Sequence, residues 1–79
     1  MANVTIYTTS TCGFCKMAKE FFKESNIEYQ EHDVTMDQHA QEEMVKKSGQ
    51  MGVPVIDIDG QIVVGFDKAK LSSLLGIAS

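Results

Sequence analysis

The feature that most constrains this chain is a pair of cysteines, Cys12 and Cys15, between an apolar segment typical of a strand and an amphipathic segment typical of a helix. Side chains three residues apart on one helical turn have Cβ atoms about 5–6 Å from each other. A disulfide needs its Cα atoms within roughly 4.4–6.8 Å. The pair can therefore close and reopen a disulfide with little movement of the backbone.

The position of the pair at the start of a helix predicts different roles for the two sulfurs. The first turn of a helix presents unpaired backbone N–H groups and the positive end of the helix dipole, and both favour a thiolate. We expect Cys12, at that end, to be an exposed thiolate with a lowered pKa that attacks disulfides. Cys15, one turn inside the helix, is expected to be the sheltered thiol that resolves the mixed disulfide.

Length and charge exclude several classes of protein. With 79 residues there is too little chain for a second core, so one domain covering residues 1–79 is expected. The seven basic residues are outnumbered by eleven acidic ones, and the net charge of -4 argues against a nucleic-acid partner. No apolar run approaches the ~20 residues of a membrane span. The start at Met1-Ala2 has no features of a secretory leader, so a reducing cytoplasm is the expected location.

The first part of the chain predicts a strand, a helix and a second strand. Residues 4–8 are β-branched or aromatic, and residues 9–11 supply turn and cap candidates. The helix that starts at the cysteines should face the core through an apolar stripe, and Asn26 should end it. The members of that stripe are Phe14, Met17, Ala18, Phe21 and Phe22. Residues 27–34 alternate in part like a strand, which predicts a βαβ unit with parallel strands.

A second helix is predicted next. Residues 35–38 have the form of a capping box that starts at Thr35, and Gly49 should end the helix after Ser48. An apolar line along this helix should face the core. It consists of Met36, Ala40 and Met44, with Val45 alongside.

The last part of the chain predicts a hairpin and a third helix. Asp59-Gly60 lies between two β-rich runs, 55–58 and 61–64, which is a strong signal for antiparallel pairing. Asp67 can cap the third helix, with Phe66 and Leu71 placed as a hydrophobic staple. The order β-α-β-α-β-β-α predicts an α/β fold with a four-stranded mixed sheet flanked by three helices.

Several motifs in this order resemble those of the glutaredoxins, and also those of the redoxins that serve ribonucleotide reductase. The motifs are Tyr7 five positions before Cys12, the Cys12/Cys15 pair, Glu42-Glu43-Met44 with Ser48-Gly49, Val53-Pro54, and Gly65-Phe66-Asp67. The resemblance covers nearly the whole chain. It implies the thioredoxin fold and the reduction of disulfide-bearing proteins or glutathione mixed disulfides.

The resemblance also implies a binding site around the sulfurs. Pro54 is expected in the cis form, where it excludes metal and leaves the backbone of Val53 free to pair with a substrate strand. Gly65-Phe66-Asp67 is expected to hold the γ-glutamyl end of glutathione, through helix N–H groups and the Asp67 carboxylate. Thr11, Gly13 and Phe14, around the cysteines, complete the expected site. Glutathione is expected as a co-substrate, with no bound cofactor and no metal.

The chain departs from the glutathione-binding pattern at several positions, so the reductant stays open. Glutaredoxins commonly have basic residues where this chain has Thr9, Gln41 and Gln50. Gly52 replaces a threonine, and Val64 and Lys68 replace the second glycine and second aspartate of the last motif. Lys46, Lys47 or Lys68 can supply part of the missing attraction. The electron donor is either glutathione or a flavoprotein of the thioredoxin reductase type.

Two other functions are compatible with the sequence. An iron–sulfur or metal carrier would need further ligands, because two thiolates complete only half of a four-ligand site, and His32 and His39 lack zinc-finger spacing. A non-enzymatic adaptor would use Met36, Met44 and Met51 as an adaptable binding surface. A monomer is expected, because the sequence suggests no spare apolar face.

Overall fold

The computed structural model describes residues 3–76, so the leaderless start expected at Met1-Ala2 lies outside the described residues. Its helices and strands follow one another in the order predicted from the sequence. They are β1 (Val4–Thr8), α1 (Gly13–Glu24), β2 (Gln30–Asp33), α2 (Gln38–Ser48), β3 (Val55–Ile58), β4 (Gln61–Val64) and α3 (Lys68–Leu75). The three helices and four-stranded sheet of residues 3–76 confirm the predicted α/β class.

The sheet is mixed and has the strand order β2-β1-β3-β4. β1 and β2 are parallel, whereas β1 pairs with β3, and β3 with β4, in antiparallel fashion. Thr8 is opposite Asp33, Tyr7 is opposite Val55, and Val55 is opposite Val64. The C-terminal ends of β1, β2 and β4 and the N-terminal end of β3 therefore meet at one end of the sheet. We call it the sulfur end, because the cysteines follow β1.

Each face of the sheet has its own apolar cluster. On one face, α1 and α3 pack onto the strands through residues that include Ile6, Phe22, Ile56 and Leu71, each 0% exposed. On the other face, α2 packs through Ala40 and Met44. That second cluster also contains Tyr7, Val34 and Val55. Because both faces are covered, the apolar strands are buried on both sides, as expected for a sheet between helices.

Two helix starts differ from the sequence prediction. The N-cap of α2 is Asp37, whose Oδ1 accepts the N–H of Ala40 at 3.1 Å, so the predicted capping box at Thr35 is wrong. The carboxylate two residues later caps the first turn of the helix that actually forms. The cap of α1 is Cys12 itself rather than a residue of the 9–11 segment. Asp67 caps α3 as predicted, by accepting the N–H of Lys70 at 3.1 Å.

The apolar stripes are narrower than the sequence suggested. Phe14 and Met17 were predicted to face the core, but they are 63% and 48% exposed. Met36, also placed on a core-facing line, is 85% exposed because it precedes α2. The second strand starts at Gln30 rather than Ile27. Asn26 has a φ of 57°, a left-handed conformation that turns the chain after α1.

Candidate active site

Cys12 and Cys15 lie at the N-terminus of α1 and are joined as a disulfide, with Cα atoms 5.2 Å apart. Cys12 is the N-cap residue, and its Sγ accepts the backbone N–H of Cys15 at 3.1 Å. The N–H of Cys12 in turn donates to the carbonyl of Thr9 at 3.3 Å, which closes the turn that leaves β1. The turn therefore places Cys12 Sγ at the N-terminal end of α1.

The two sulfurs differ in access to solvent. Cys12 is half-buried, whereas Cys15 is 1% exposed because it lies on the side of α1 that faces the sheet. The N–H of Cys15 and the positive end of the helix dipole are directed at Cys12 Sγ, and both favour a negative charge on this sulfur. The arrangement can hold an accessible thiolate at one sulfur and a protected thiol at the other.

Pro54 lies at the sulfur end, at the start of β3. The Val53–Pro54 peptide bond is cis, as expected, and the Pro54 ring is fully buried. The Pro54 carbonyl accepts the N–H of Gly65 at 2.8 Å. This bond holds the segment that follows β4 beside the segment that precedes β3.

The loop before Val53 is held by the side chain of Gln50. Its Nε2 donates to the carbonyl of Gly52 at 2.9 Å, and its Oε1 accepts the N–H of Gly52 at 2.9 Å. A Cβ at position 52 would lie 2.7 Å from Gln50 Oε1. Two departures from the glutaredoxin pattern, Gln50 and Gly52, are therefore coupled in space, because the glycine leaves room for the amide. No pattern in the sequence indicates this coupling.

The last motif turns the chain from β4 into α3. Gly65 has a φ of 84°, a conformation that favours glycine, and Asp67 follows as the N-cap. Phe66 is half-buried and its ring lies 6.0 Å from the ring of Phe21. Lys68 Nζ lies 5.8 Å from the centre of the Phe21 ring. The motif thus presents its first helical N–H groups at the sulfur end.

The structure brings every residue of the predicted site to this end of the sheet. Thr11 and Gly13 are exposed beside the disulfide, and Phe14 is 63% exposed on the first turn of α1. Val53 is half-buried and packs against the α2-side cluster. The location of these residues follows from the strand order, which places three separate loops together.

Lys47, one of the lysines considered as a replacement cation, is engaged on the α2 side of the sheet. Its Nζ donates to Tyr7 Oη at 3.0 Å and to Asp57 Oδ2 at 2.9 Å, and lies 3.4 Å from Glu43 Oε1. The bond to Tyr7, and after it the bond to Asp57, raises the pKa of Lys47 well above its usual value. Bonds from Lys47 and then from Tyr7 lower the pKa of Glu43. Lys47 is therefore part of an ionic cluster that ties α2 to β1 and β3.

A second polar cluster ties α1 to the strands. Glu31 Oε2 accepts the hydroxyl of buried Thr8 at 2.8 Å and the ammonium of Lys19 at 2.9 Å. The bonds from Lys19 and then Thr8 lower the pKa of Glu31. Thr8 is the last residue of β1, so the cluster fixes the strand end from which the cysteine turn departs. Sequence reasoning missed both clusters, because their members are far apart in the chain.

Within residues 3–76, no three His, Cys, Asp or Glu side chains are grouped so that they could hold a metal ion. None of the helices in that range is long and apolar enough to cross a membrane.

A buried and a half-buried sulfur at the start of the first helix, on a mixed sheet beside a cis-proline, define a thioredoxin-like dithiol protein. A family model described as glutaredoxin matches residues 4–63. The chain belongs to the glutaredoxin family, which confirms the resemblance seen in the sequence. Membership implies thiol–disulfide oxidoreductase activity.

Individual relatives agree with this assignment. The chain is 47% identical over 72 residues to an uncharacterized glutaredoxin-like 8.6 kDa protein in the rubredoxin operon of Clostridium pasteurianum, covering 91% of this chain and 96% of that one. It is 42% identical over 67 residues to glutaredoxin 3 of Escherichia coli K12, covering 85% and 81%. A crystal structure of a mutant of the thioredoxin-like protein BC3987 has a TM-score of 0.92 at 35% identity, covering 99% and 100%.

Proposed function

We propose that this protein reduces protein disulfides and glutathione mixed disulfides through a Cys12/Cys15 dithiol cycle. The Cys12 thiolate attacks one sulfur of the substrate, and the other substrate sulfur leaves as a thiolate and takes up a proton. Cys15 then loses its proton and attacks Cys12 of the mixed disulfide, which releases the second substrate thiol. Two electrons pass to the substrate, and the Cys12–Cys15 disulfide remains to be reduced.

One observation carries the division of roles between the sulfurs. Cys12 is half-buried and receives the N–H of Cys15 at 3.1 Å, whereas Cys15 is 1% exposed. A substrate can therefore reach only the first sulfur without displacing the helix. The resolving sulfur is within bonding distance of the first, because the two already form a disulfide.

The substrate is held by two parts of the site. The backbone of Val53 pairs with an extended segment of the substrate, and main-chain bonds of this kind accept many sequences. Thr11, Gly13 and Phe14 contact the substrate around the sulfur under attack. Gly65, Phe66 and Asp67 take the γ-glutamyl end of glutathione, with N–H groups for its carboxylate and the Asp67 side chain for its ammonium.

Glutathione is our preferred electron donor; the N–H groups at the start of α3, the Asp67 carboxylate at its N-cap and the similarity to glutaredoxin 3 support this choice. The alternative is a redoxin that is reduced by a thioredoxin reductase and serves ribonucleotide reductase. The hydrogen bonds of Lys47 to Tyr7 and Asp57 favour this alternative. Lys47 could bind glutathione in place of a missing basic residue only by breaking these bonds.

The decisive experiment couples reduction of one disulfide substrate to NADPH oxidation in two parallel reactions. One reaction contains glutathione with glutathione reductase, and the other contains thioredoxin reductase. Turnover in the first identifies glutathione as donor, and turnover only in the second identifies the redoxin alternative. Turnover in neither, with both reductases active on control proteins, overturns the disulfide reductase proposal.

The same proposal places the protein in the cytoplasm as one domain that acts as a monomer. An iron–sulfur carrier would instead need a dimer, because this chain offers two thiolates. Anaerobic reconstitution with iron and sulfide should therefore give no cluster absorbance. An adaptor role would be indicated if Cys12→Ser kept all cellular activity.

A further inference from the structure

The exposed apolar side chains are concentrated at the sulfur end. In the described part of the chain, every large apolar side chain that stays exposed lies in a connection at that end, at the last residue of β4, or in the first two turns of α1. They are Phe14, Met17, Met36, Met51 and Val64. Exposed apolar patches often mark sites of interaction with other molecules.

Two of these side chains continue a row that meets the third helix. Phe14, Met17 and Phe21 follow one another at spacings of three and four residues, so they lie on one side of α1. Phe21 is 9% exposed, and its ring is 6.0 Å from that of Phe66 at the start of α3. We call Phe14, Met17 and Phe66, with the neighbouring Lys68, the α1–α3 face. The face begins beside the sulfurs and ends at the contact between the two helices.

The charges beside the α1–α3 face favour an anionic partner, although the net charge of the chain is -4. Lys68 Nζ lies 5.8 Å from the centre of the Phe21 ring, and forms no ion pair with the described residues. The sequence has no acidic residue before Glu20, one turn beyond Met17. Asp67 Oδ1 accepts the N–H of Lys70, so this carboxylate is held at the start of α3, and its second oxygen remains for the ammonium of glutathione in the proposed function. The α1 part of the face is therefore apolar, and its α3 edge has one cation without an ion pair to the described residues, Lys68, next to the capping carboxylate of Asp67.

We propose that the α1–α3 face docks the polypeptide that flanks a target disulfide, and that it selects segments with a bulky apolar residue and a carboxylate near the cysteine. This inference rests on the proposed function, because it names the substrate class of the same sulfurs. The apolar residue packs between Met17 and Phe66, and the carboxylate pairs with Lys68. Glutathione has no bulky apolar side chain, so the face discriminates between protein and glutathione substrates.

Binding of redox-silent peptides to the oxidised protein tests the face without requiring turnover. The probe is a labelled nonapeptide with serine at the cysteine position, flanked by leucine and glutamate, and its affinity is measured by fluorescence anisotropy. Matched peptides carry lysine for glutamate or alanine for leucine. We expect each replacement to raise Kd about 5- to 10-fold. Added salt should reduce the difference in Kd between the glutamate and lysine peptides, because the ion pair of the peptide carboxylate with Lys68 is close to solvent.

Variants assign the effect to the face. Lys68→Glu should reverse the preference between the glutamate and lysine peptides, and Met17→Ser should erase the advantage of leucine over alanine. Met36→Ser is the control, because Met36 is also an exposed methionine but precedes α2, which packs on the opposite side of the sheet. It should leave all three affinities unchanged. Equal binding of the three peptides, or an unchanged preference in Lys68→Glu, overturns the docking face.

Reduction of a small neutral disulfide, followed separately, distinguishes failure of this inference from failure of the proposed function. Equal affinity of the wild-type protein for the three peptides, with reduction of the small disulfide intact, overturns the docking face alone. Selective peptide binding without reduction of any disulfide overturns the redox function and leaves the α1–α3 face as a binding surface.

Discussion

Lys19 and Glu31 join the first helix to the edge strand, with Nζ and Oε2 2.9 Å apart and side chains 26% and 37% exposed. The same carboxylate accepts the hydroxyl of Thr8, which is 1% exposed. A buried hydroxyl, a carboxylate and an ammonium therefore meet behind the turn that carries the cysteines. The bonds lower the pKa of Glu31, so its charged form is favoured by folding.

Glu31→Gln should lower stability at neutral pH and lose its effect in acid. A carboxylate whose pKa is lower in the folded state stabilises above its unfolded pKa, near 4.3, and this contribution disappears as the pH falls through the folded value. Because the pair is partly exposed, we expect a loss of at most about 1 kcal/mol at pH 7. Urea unfolding of wild type and Glu31→Gln at pH 7 and pH 3 measures this loss in the free energy of unfolding. Glu28→Gln, an exposed neighbour in sequence, is the control, and an equal loss at both pH values would contradict the prediction.

The cysteines should titrate at different pH values once reduced. Thiolate absorbance near 240 nm, followed in wild type and in Cys15→Ser, should place the pKa of Cys12 clearly below the free value of about 8.5. The physical reason is the N–H of Cys15, which points at Cys12 Sγ from 3.1 Å. A Cys12 as basic as free cysteine would remove the main support for its role as nucleophile.

Single-cysteine variants separate the two possible electron donors. Cys12→Ser should abolish reduction of every disulfide, because Cys15 is 1% exposed and cannot be reached. Cys15→Ser should keep part of the activity on glutathione mixed disulfides if glutathione is the donor, since a second glutathione can then resolve the intermediate. Complete inactivity of Cys15→Ser in the glutathione-coupled reaction would favour the reductase-linked alternative.

The order of elements and the location of the sulfurs were predictable from sequence, because hydrophobic periodicity and turn residues act locally. The sequence could not set the width of the buried stripe on α1. Phe14 and Met17 have helical spacing, yet only contacts with the sheet and α3 decide that Phe21 and Phe22 are buried instead. Periodicity marks the direction of a helix face, whereas neighbouring elements set its limits.

Helix caps and polar clusters were predicted less well, for two different reasons. Thr35 and Asp37 are both good caps, and local sequence does not decide which one satisfies the first N–H groups. Residues 27–29 lie outside the second strand because they have no partners in the β1–β2 register, which begins at Gln30. The cluster around Lys47 joins residues of α2, β1 and β3, and no local pattern encodes such contacts.

Lys47→Met should destabilise the fold by roughly 1–2 kcal/mol, because it leaves the hydroxyl of buried Tyr7 and the carboxylate of Asp57 without their donor. The raised pKa of Lys47 means that its contribution is complete below the unfolded pKa near 10.4 and declines as the pH rises through the higher folded value. Thermal unfolding should show the same loss at pH 7 and pH 10, which both lie below the unfolded pKa, and a smaller loss at about pH 11.5. Lys46→Met, an exposed neighbour on α2, should change stability by less than about 0.5 kcal/mol.

The amide of Gln50 and the backbone of Gly52 should behave as one energetic unit. Gly52→Ala would bring a Cβ within 2.7 Å of Gln50 Oε1, so the flexible amide must move and both of its bonds to Gly52 are lost. Hydrogen bonds of this kind contribute about 0.5–1.5 kcal/mol each when shielded, and less in an exposed loop. We therefore expect Gly52→Ala to cost about 1 kcal/mol and to raise KM for peptide disulfides, because the loop positions Val53.

A double-mutant cycle tests this coupling directly. In Gln50→Ala the two bonds are already absent, so adding Gly52→Ala should cost almost nothing further, and the interaction energy should be about 0.5–1 kcal/mol. Chemical denaturation gives the four free energies of unfolding, and the kinetics with a peptide disulfide give the matching KM values. Strict additivity of the two substitutions would mean that a Cβ at position 52 does not disturb the bonds of the Gln50 amide, which would contradict the coupling.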